Sequence, residues 1–383
     1  MFRAEFHSSI AEIEPFIWDG LFASDNPFIQ HAFLLTLEES GCVSDQSGWS
    51  PLHLLLLDDT QPVAVLPMYL KFHSHGEFVF DWGWAQAYER HGLDYYPKLL
   101  SAVPFTPSSG PRIGIASNAD RSKVLESLVE QVKLKAGELG CSSWHLLFPD
   151  EALAAEVCLL KDSEILSRQD VQFHWFNHDY ASFEDYLKAL RSSRRKNLKR
   201  ERKAVQDQGV SLERKTGNEI TNEDWSAFYQ CYCSTYLKRS GHPGYLDRHF
   251  FDLLLERMSE SLLLVVAKQD EQVVASSLFF FDSQKLYGRY WGCLTDVHCL
   301  HFEACFYQGI EFCIENNIAE FDPGTQGEHK LLRGFEPDMT SSYHWIADVR
   351  FRSAISNFLE DEKKNTQAYG EQAAAFLPFR KDK

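Results

Sequence analysis

Short apolar runs separated by compact polar turns recur along this chain, and two of them share one layout. Leu54–Leu57, a polar Asp58–Pro62 and Val63–Leu66 read as strand, turn and strand. Leu262–Ala267, a polar Lys268–Gln272 and Val273–Phe281 read the same way. Each hairpin leads to an aromatic-glycine corner, Phe78–Gly83 in the first half and Leu286–Gly292 in the second. The spacings agree, with 29 positions from Leu54 to Gly83 (83 − 54) and 30 from Leu262 to Gly292 (292 − 262). Each corner is followed by an amphipathic helix and a further strand. Val124, Leu125, Leu128, Val129 and Val132 fall at helical spacing before Trp144–Phe148, and Phe302, Phe306 and Ile310 before Ala319–Asp322. The pattern predicts an α/β chain of two related lobes, each a mixed sheet flanked by helices, with residues 50–150 and 262–350 as copies of one unit.

The expected join follows the strand Val171–Phe176, giving lobes 1–178 and 179–383. Ser182 and Asp185 form a capping pair that opens a helix running on through Lys203. At 100° per residue, Phe183, Leu187, Leu190, Leu198 and Val205 share one stripe, and Arg194 falls inside it. An unpaired charge there is costly, so Arg194 is expected to point into the cleft between the lobes or to pair with a buried acid. Arg195, Lys199 and Arg202 fall outside and are expected in solvent. A second helix carries an aromatic face of Trp225, Phe228, Tyr229, Tyr232 and Tyr236. The polar, then alanine-rich tail after Asn365 is expected to fray.

Length enters next, because 383 residues exceed one ordinary core and support the two-lobe reading. A net charge of −17 excludes a protein that coats duplex DNA, since phosphate neutralisation needs a broadly basic surface. One stretch, Arg191–Lys203, is strongly basic and suits an anionic ligand or a nucleic-acid end. The nine cysteines, odd in number and scattered, fit reduced thiols. Cys231 with Cys233 and His73 with His75 lack the partners of a tetrahedral site, so no metal is expected. The first residues carry Glu5, Glu12 and Glu14 instead of the basic start of a secretory signal. No run nears the ~18 apolar residues of a membrane span, so a cytoplasmic location without a transmembrane segment is expected.

Several blocks then carry a family likeness: Gly76–Arg90, Tyr95–Leu100, Val103–Pro107, Phe321–Lys330 and Arg333–Pro337. As an ordered set, from about Phe28 to about Trp345, they resemble the FemAB-like bacterial proteins of peptidoglycan biosynthesis or recognition. The resemblance implies two tandem GNAT-like (acyl-CoA N-acyltransferase-like) lobes. It also implies transfer of an acyl or aminoacyl group to an amine of a peptide or small-molecule acceptor, the donor being acyl-CoA or an aminoacyl-tRNA. One departure bears on the donor: the turn Trp291–Leu300 has a single glycine where a pyrophosphate-cradling loop is usually glycine-rich. The helix opening near His301 still offers free N–H groups.

Transfer to an amine requires an acceptor freed of its proton and donors aimed at the developing oxyanion. Asp322, His329 and Lys330, after a strand and a glycine-rich turn, are the leading catalytic candidates, with Arg333 close behind. Set against that is a surface turn in which Asp322 bonds its own backbone. His301 and Glu303 form a second candidate pair, equally readable as a helix start. Trp82, Trp84, Tyr95 and Tyr96 with Lys98 and Arg112 are candidates to wall a pocket for an anionic substrate, as is Tyr290; aromatics serve more often as core. Arg194, Arg195 and Lys199 are candidate donor contacts. The competing class is a non-catalytic peptide- or tRNA-binding protein on the same fold.

Overall fold

The computed structural model describes residues 2–160, 162, 164–325 and 327–380. The chain divides into two compact units, Met1–Asp170 with Met339–Gln367 and Val171–Asp338 with Ala368–Lys383. A single cut after residue 178 does not reproduce that division. The late strand Glu336–Ile346 pairs antiparallel with Ser143–Leu147, setting Ser342 opposite Leu147 and Ile346 opposite Ser143, and so returns the chain to the first unit.

In the first unit, His53–Asp58 and Gln61–Leu66 form the expected hairpin, flanked by Phe2–His7 and Gly114–Ile115. A second set of strands, Trp49–Pro51, Tyr69–Lys71, Lys98–Ser101 and Ser143–Leu147, is mixed: Lys98–Ser101 runs parallel to Ser143–Leu147 and antiparallel to Tyr69–Lys71. Helix Arg121–Glu138 buries Val124, Leu125, Leu128, Val129 and Val132, the stripe read from spacing. The corner expected at Phe78–Gly83 does not end a strand. Phe78–Asp81 is loop, and Asp81 precedes a helix, Trp82–Arg90. The closely matched 29- and 30-residue spacings therefore do not mark equivalent corners.

In the second unit, Val210–Thr216, Leu262–Gln269, Gln272–Phe281 and Lys285–Cys293 run antiparallel in sequence order. Glu320–Asp322 then adds parallel to Lys285–Cys293 and antiparallel to Trp175–Phe176. Helix Asn222–Ser240 packs its aromatic face on this sheet, with Trp225, Phe228 and Tyr232 buried. It lies so close that a Cβ at Gly292 would fall 1.9 Å from the Cys231 carbonyl oxygen, so only glycine fits there.

Two local expectations fail. Ser182 does cap a helix, but that helix ends at Ala189, and the basic helix Ser192–Asp207 starts anew. The break belongs to the C-terminus: Leu190 bridges Phe379, and the Arg191 N–H donates to the Pro378 carbonyl at 2.8 Å. The tail accordingly does not fray after Asn365, because helix Val349–Ala374 continues through it and Ala373 is buried. Among the described residues no helix is long and apolar enough to cross a membrane.

Candidate functional site

The second unit's sheet splits where its parallel pairing ends. Lys285, Leu286 and Tyr287 face Glu320, Phe321 and Asp322, and pairing stops there. Beyond Asp322 the chain turns away through Pro323 and Gly324, the latter at φ +91°, a left-handed conformation that favours glycine. The Gly324 N–H donates to Asp322 Oδ1 at 2.8 Å. On the other side of the split, Leu278 faces Tyr290 while Phe279 faces Gly288, so Arg289 is the extra residue of a β-bulge. Bulges re-aim side chains, and Arg289 is turned into the gap.

A cavity of about 440 Å³ occupies that gap. Arg239, Arg289 and Lys330 bring cations to it; Tyr290, Trp291 and Phe306 bring aromatic wall; His301, His329 and Cys305 complete the chemistry. A second cavity of about 270 Å³ shares Arg239, Trp291 and His301 with it and adds Lys238, Thr235, Thr295 and Asp296. Behind both, the helix carrying His301 is broken by a π segment, Glu303–Tyr307, a local widening common at functional sites.

Burial sets the protonation of these groups. It holds the His301 imidazole down at about 4, so the ring is neutral near pH 7. His329 is lowered for the same reason, with Arg333 and Lys330 adding repulsion. Lys330 falls to about 8 through burial and the neighbouring Arg289, against the pull of Asp322. Its ammonium donates to the Gly324 carbonyl. Burial lifts the Cys305 thiol to about 12, so the cavity's cysteine is no nucleophile.

The loop after Asp322 lines this cavity through Pro323, Gly327, His329 and Lys330, and Tyr290 and His301 line it too. Asp322 does not line the cavity. It is fully buried behind the wall, with its Oδ2 3.6 Å from Arg289. The His301–Glu303 pair does not form: Glu303 accepts from Arg202 at 2.9 to 3.2 Å and from Gln308 at 2.8 Å. Arg333 is spent on Glu201 at 2.8 Å, the Tyr307 hydroxyl at 3.0 Å and the His329 carbonyl at 2.9 Å. On the basic helix, Arg202 rather than Arg194 meets the buried acid, forking between Glu303 and Glu311. Arg194 is half-buried with no ion pair among the described residues, since the acids Glu303 and Glu311 meet the helix at Arg202, about two turns further on. Lys199 pairs with Glu184 at 2.9 Å, and Arg195 stays half-exposed.

Most of the candidates in the first unit are engaged by partners within that unit. Lys98 is wholly buried, donating to Glu77 at 2.7 Å, to Ser74 at 2.8 Å and to Asp81. Arg112 is buried on the carbonyls of Leu147, Pro111 and Ser108. Tyr95 donates to Asp81 at 2.7 Å, Tyr96 meets Ser74 at 2.8 Å, and Trp84 packs on His145 and His344. Trp82 is partly exposed against His75. The residues missed were Arg239 and Arg289. Arg289 had a signal, a cation set between aromatic and glycine residues mid-strand, whereas Arg239 had only its place near a helix end.

A family described as peptidoglycan biosynthesis/recognition, FemAB-like, matches residues 9–381. The chain belongs to the FemAB-like family. Among solved structures this FemAB-like chain is similar to FemX, at 12% identity and a TM-score of 0.54, over 92% of this chain and 100% of that one. It is also similar to the C-terminal domain of a putative lysylphosphatidylglycerol synthetase from Agrobacterium fabrum, at 8% identity and a TM-score of 0.56, over 91% and 96%. L-PGS from Bacillus licheniformis follows at 10% identity and 0.50, over 85% and 96%. Such identities speak for the fold alone, a mixed α/β arrangement shared over most of each chain. No curated protein matches.

Proposed function

We propose that this FemAB-like protein transfers an aminoacyl or acyl group to an amine, in the cavity of its second unit. The observation that carries the reading is Lys330, buried in a cavity wall that among the described residues holds Arg239 and Arg289 and no carboxylate, and lowered by that burial to about 8 beside the neutral His301. As the free amine, Lys330 takes the proton from the acceptor nitrogen as that nitrogen attacks the donor carbonyl. The new N–C bond forms while the carbon–oxygen or carbon–sulfur bond to the donor's carrier breaks, and the proton returns to the leaving oxygen or sulfur. Arg289, fixed by Asp322, offsets charge on the carbonyl oxygen in the addition step. Lys238 and Arg239 at the adjoining cavity suit an anionic donor such as acyl-CoA or an aminoacyl-tRNA. The acceptor we favour is an amine-bearing cell-wall peptide precursor, in keeping with FemAB-like membership.

The test is transfer itself. The protein is incubated with acyl-CoA or aminoacyl-tRNA donors and amine-bearing peptides, and products are read by mass spectrometry. Lys330→Met should cut turnover by roughly 10²-fold or more, the usual weight of a general base. In the native protein kcat should rise as pH passes through about 8. Tight binding of peptide or tRNA without turnover would instead support a binding protein.

A further inference from the structure

His301 stands at the junction of the two cavities and lines both, together with Arg239 and Trp291. It is half-buried, and among the described residues neither of its ring nitrogens has a hydrogen-bond partner. Rings hold it instead, all edge to face: Trp291 and Phe306 at 5.4 Å between centroids, Phe302 at 5.7 Å and His329 at 6.3 Å. Phe306 is five positions on, which a regular α-helix would turn about 140° away. The π segment Glu303–Tyr307 brings the two rings to one side. Packing thus fixes the imidazole while leaving its polar atoms to the cavities, a costly arrangement unless a ligand supplies the partners.

Burial first, then His329, Arg239, Arg333 and Lys330, disfavour a second proton on this ring and hold it down at about 4. Lys238 and Asp296 are the further charged groups of the smaller cavity. The imidazole therefore carries one N–H and one lone pair throughout the range in which Lys330 titrates, near 8.

We propose that His301 makes the site selective for primary amines, its N–H donating to the acyl carbonyl oxygen while its lone pair accepts one N–H of the acceptor nitrogen. This rests on the transfer reaction proposed above. A primary amine has two hydrogens for two acceptors, the Lys330 amine and the His301 lone pair. As the N–C bond forms, one proton passes to Lys330 and the other stays on nitrogen as the amide N–H, still bonded to His301. The imidazole neither gains nor loses a proton. A secondary amine has only the hydrogen that must leave, so the His301 lone pair is left without a partner.

The acceptor probes are L-alanine amide and N-methyl-L-alanine amide at pH 8, with whichever donor turns over in the mass-spectrometric assay. In the native protein kcat/KM should favour L-alanine amide by roughly tenfold or more. His301→Phe keeps the ring and removes both nitrogens. It should lower kcat for L-alanine amide roughly tenfold or more and erase most of the preference, while kcat still rises with pH through about 8. His301→Gln, which keeps an N–H and a carbonyl, should retain part of both. In the native chain labelled at histidine with ¹⁵N, the His301 ring nitrogens, assigned by their loss in His301→Gln, should move on titration with L-alanine amide. Movement without turnover would uphold the amine contact and sink the transfer reading. A preference undiminished in His301→Phe, or His301 nitrogens unmoved by an L-alanine amide that the protein turns over, would overturn the proposal and leave transfer standing. Neither movement nor turnover would sink both.

Discussion

Replacing Lys98 with Met removes the one cation that two buried carboxylates share. Glu77 and Asp81 each give Lys98 one oxygen, and among the described residues their other oxygens, Glu77 Oε1 and Asp81 Oδ1, have no hydrogen-bond partner. Met fills much of the lysine stem, so the cavity cost is small, under about 1.5 kcal/mol. The charge cost is not. Lys98 holds Asp81 down at about 2 against its burial, while burial pushes Glu77 up to about 7. Without the cation, Asp81 folds only after taking a proton, which from an ordinary carboxyl value costs ~4 kcal/mol at pH 7 and ~2 kcal/mol at pH 5. That agrees with the ~3–5 kcal/mol seen when one partner of a buried pair is removed.

The sign of the pH dependence is therefore fixed. In the native protein the lowered Asp81 contributes stability that is present above its unfolded value near 4 and lost as pH falls through about 2. The raised Glu77 contributes stability that is lost as pH rises from about 4.5 through about 7. In Lys98→Met the deficit should shrink by ~3 kcal/mol between pH 7 and pH 5, and Asp81→Asn in the same chain should recover most of it. Hydrogen exchange in peptides covering Lys98–Ser101 and Ser143–Leu147 reads the first unit alone. A deficit under ~1 kcal/mol at pH 7, or one unchanged at pH 5, would refute the argument.

Arg202→Ala should destabilise the second unit by ~2–4 kcal/mol in urea melts, because it strands the buried Glu303, whereas Arg195→Ala should stay within ~0.5 kcal/mol. Gly292→Ala should cost more than ~3 kcal/mol or yield little folded protein on a thermal melt, since its Cβ meets backbone at the Cys231 carbonyl. In thiol titration at pH 8, the exposed Cys158 should react first, and Cys305 and Cys313 only after denaturation, as burial lifts both.

Where periodicity met a single local environment, the sequence could be read closely. The stripe of helix Arg121–Glu138 and the aromatic face of Asn222–Ser240 came from spacing alone, because one face of each packs on one sheet. The readings that failed depended on partners far away in the chain. The basic helix breaks at Leu190 because Phe379 pairs there, and no local signal at Leu190 carries that contact. Phe78–Asp81 alternates like a strand, yet its acid is drawn to Lys98 and to the Tyr95 hydroxyl.

The two lysines show why the site was only half legible. Lys98 and Lys330 both sit near acids and glycines in family-like blocks, and both are buried in the fold. What separates them is the ratio of charges around each. Lys98 has two carboxylates at hydrogen-bond distance and is pushed above its ordinary value, which keeps it a cation and makes it part of the core. Lys330 has one acid, Asp322, which Arg289 also faces, so burial prevails and brings it to about 8. A proton that leaves near neutral pH is useful to chemistry; one that never leaves is useful only to stability. That count of neighbours is set by a β-bulge at Arg289 and by the end of strand pairing at Asp322, both products of pairing between distant segments. Charge-to-charge bookkeeping in three dimensions, more than residue type, is therefore what sets the two lysines apart.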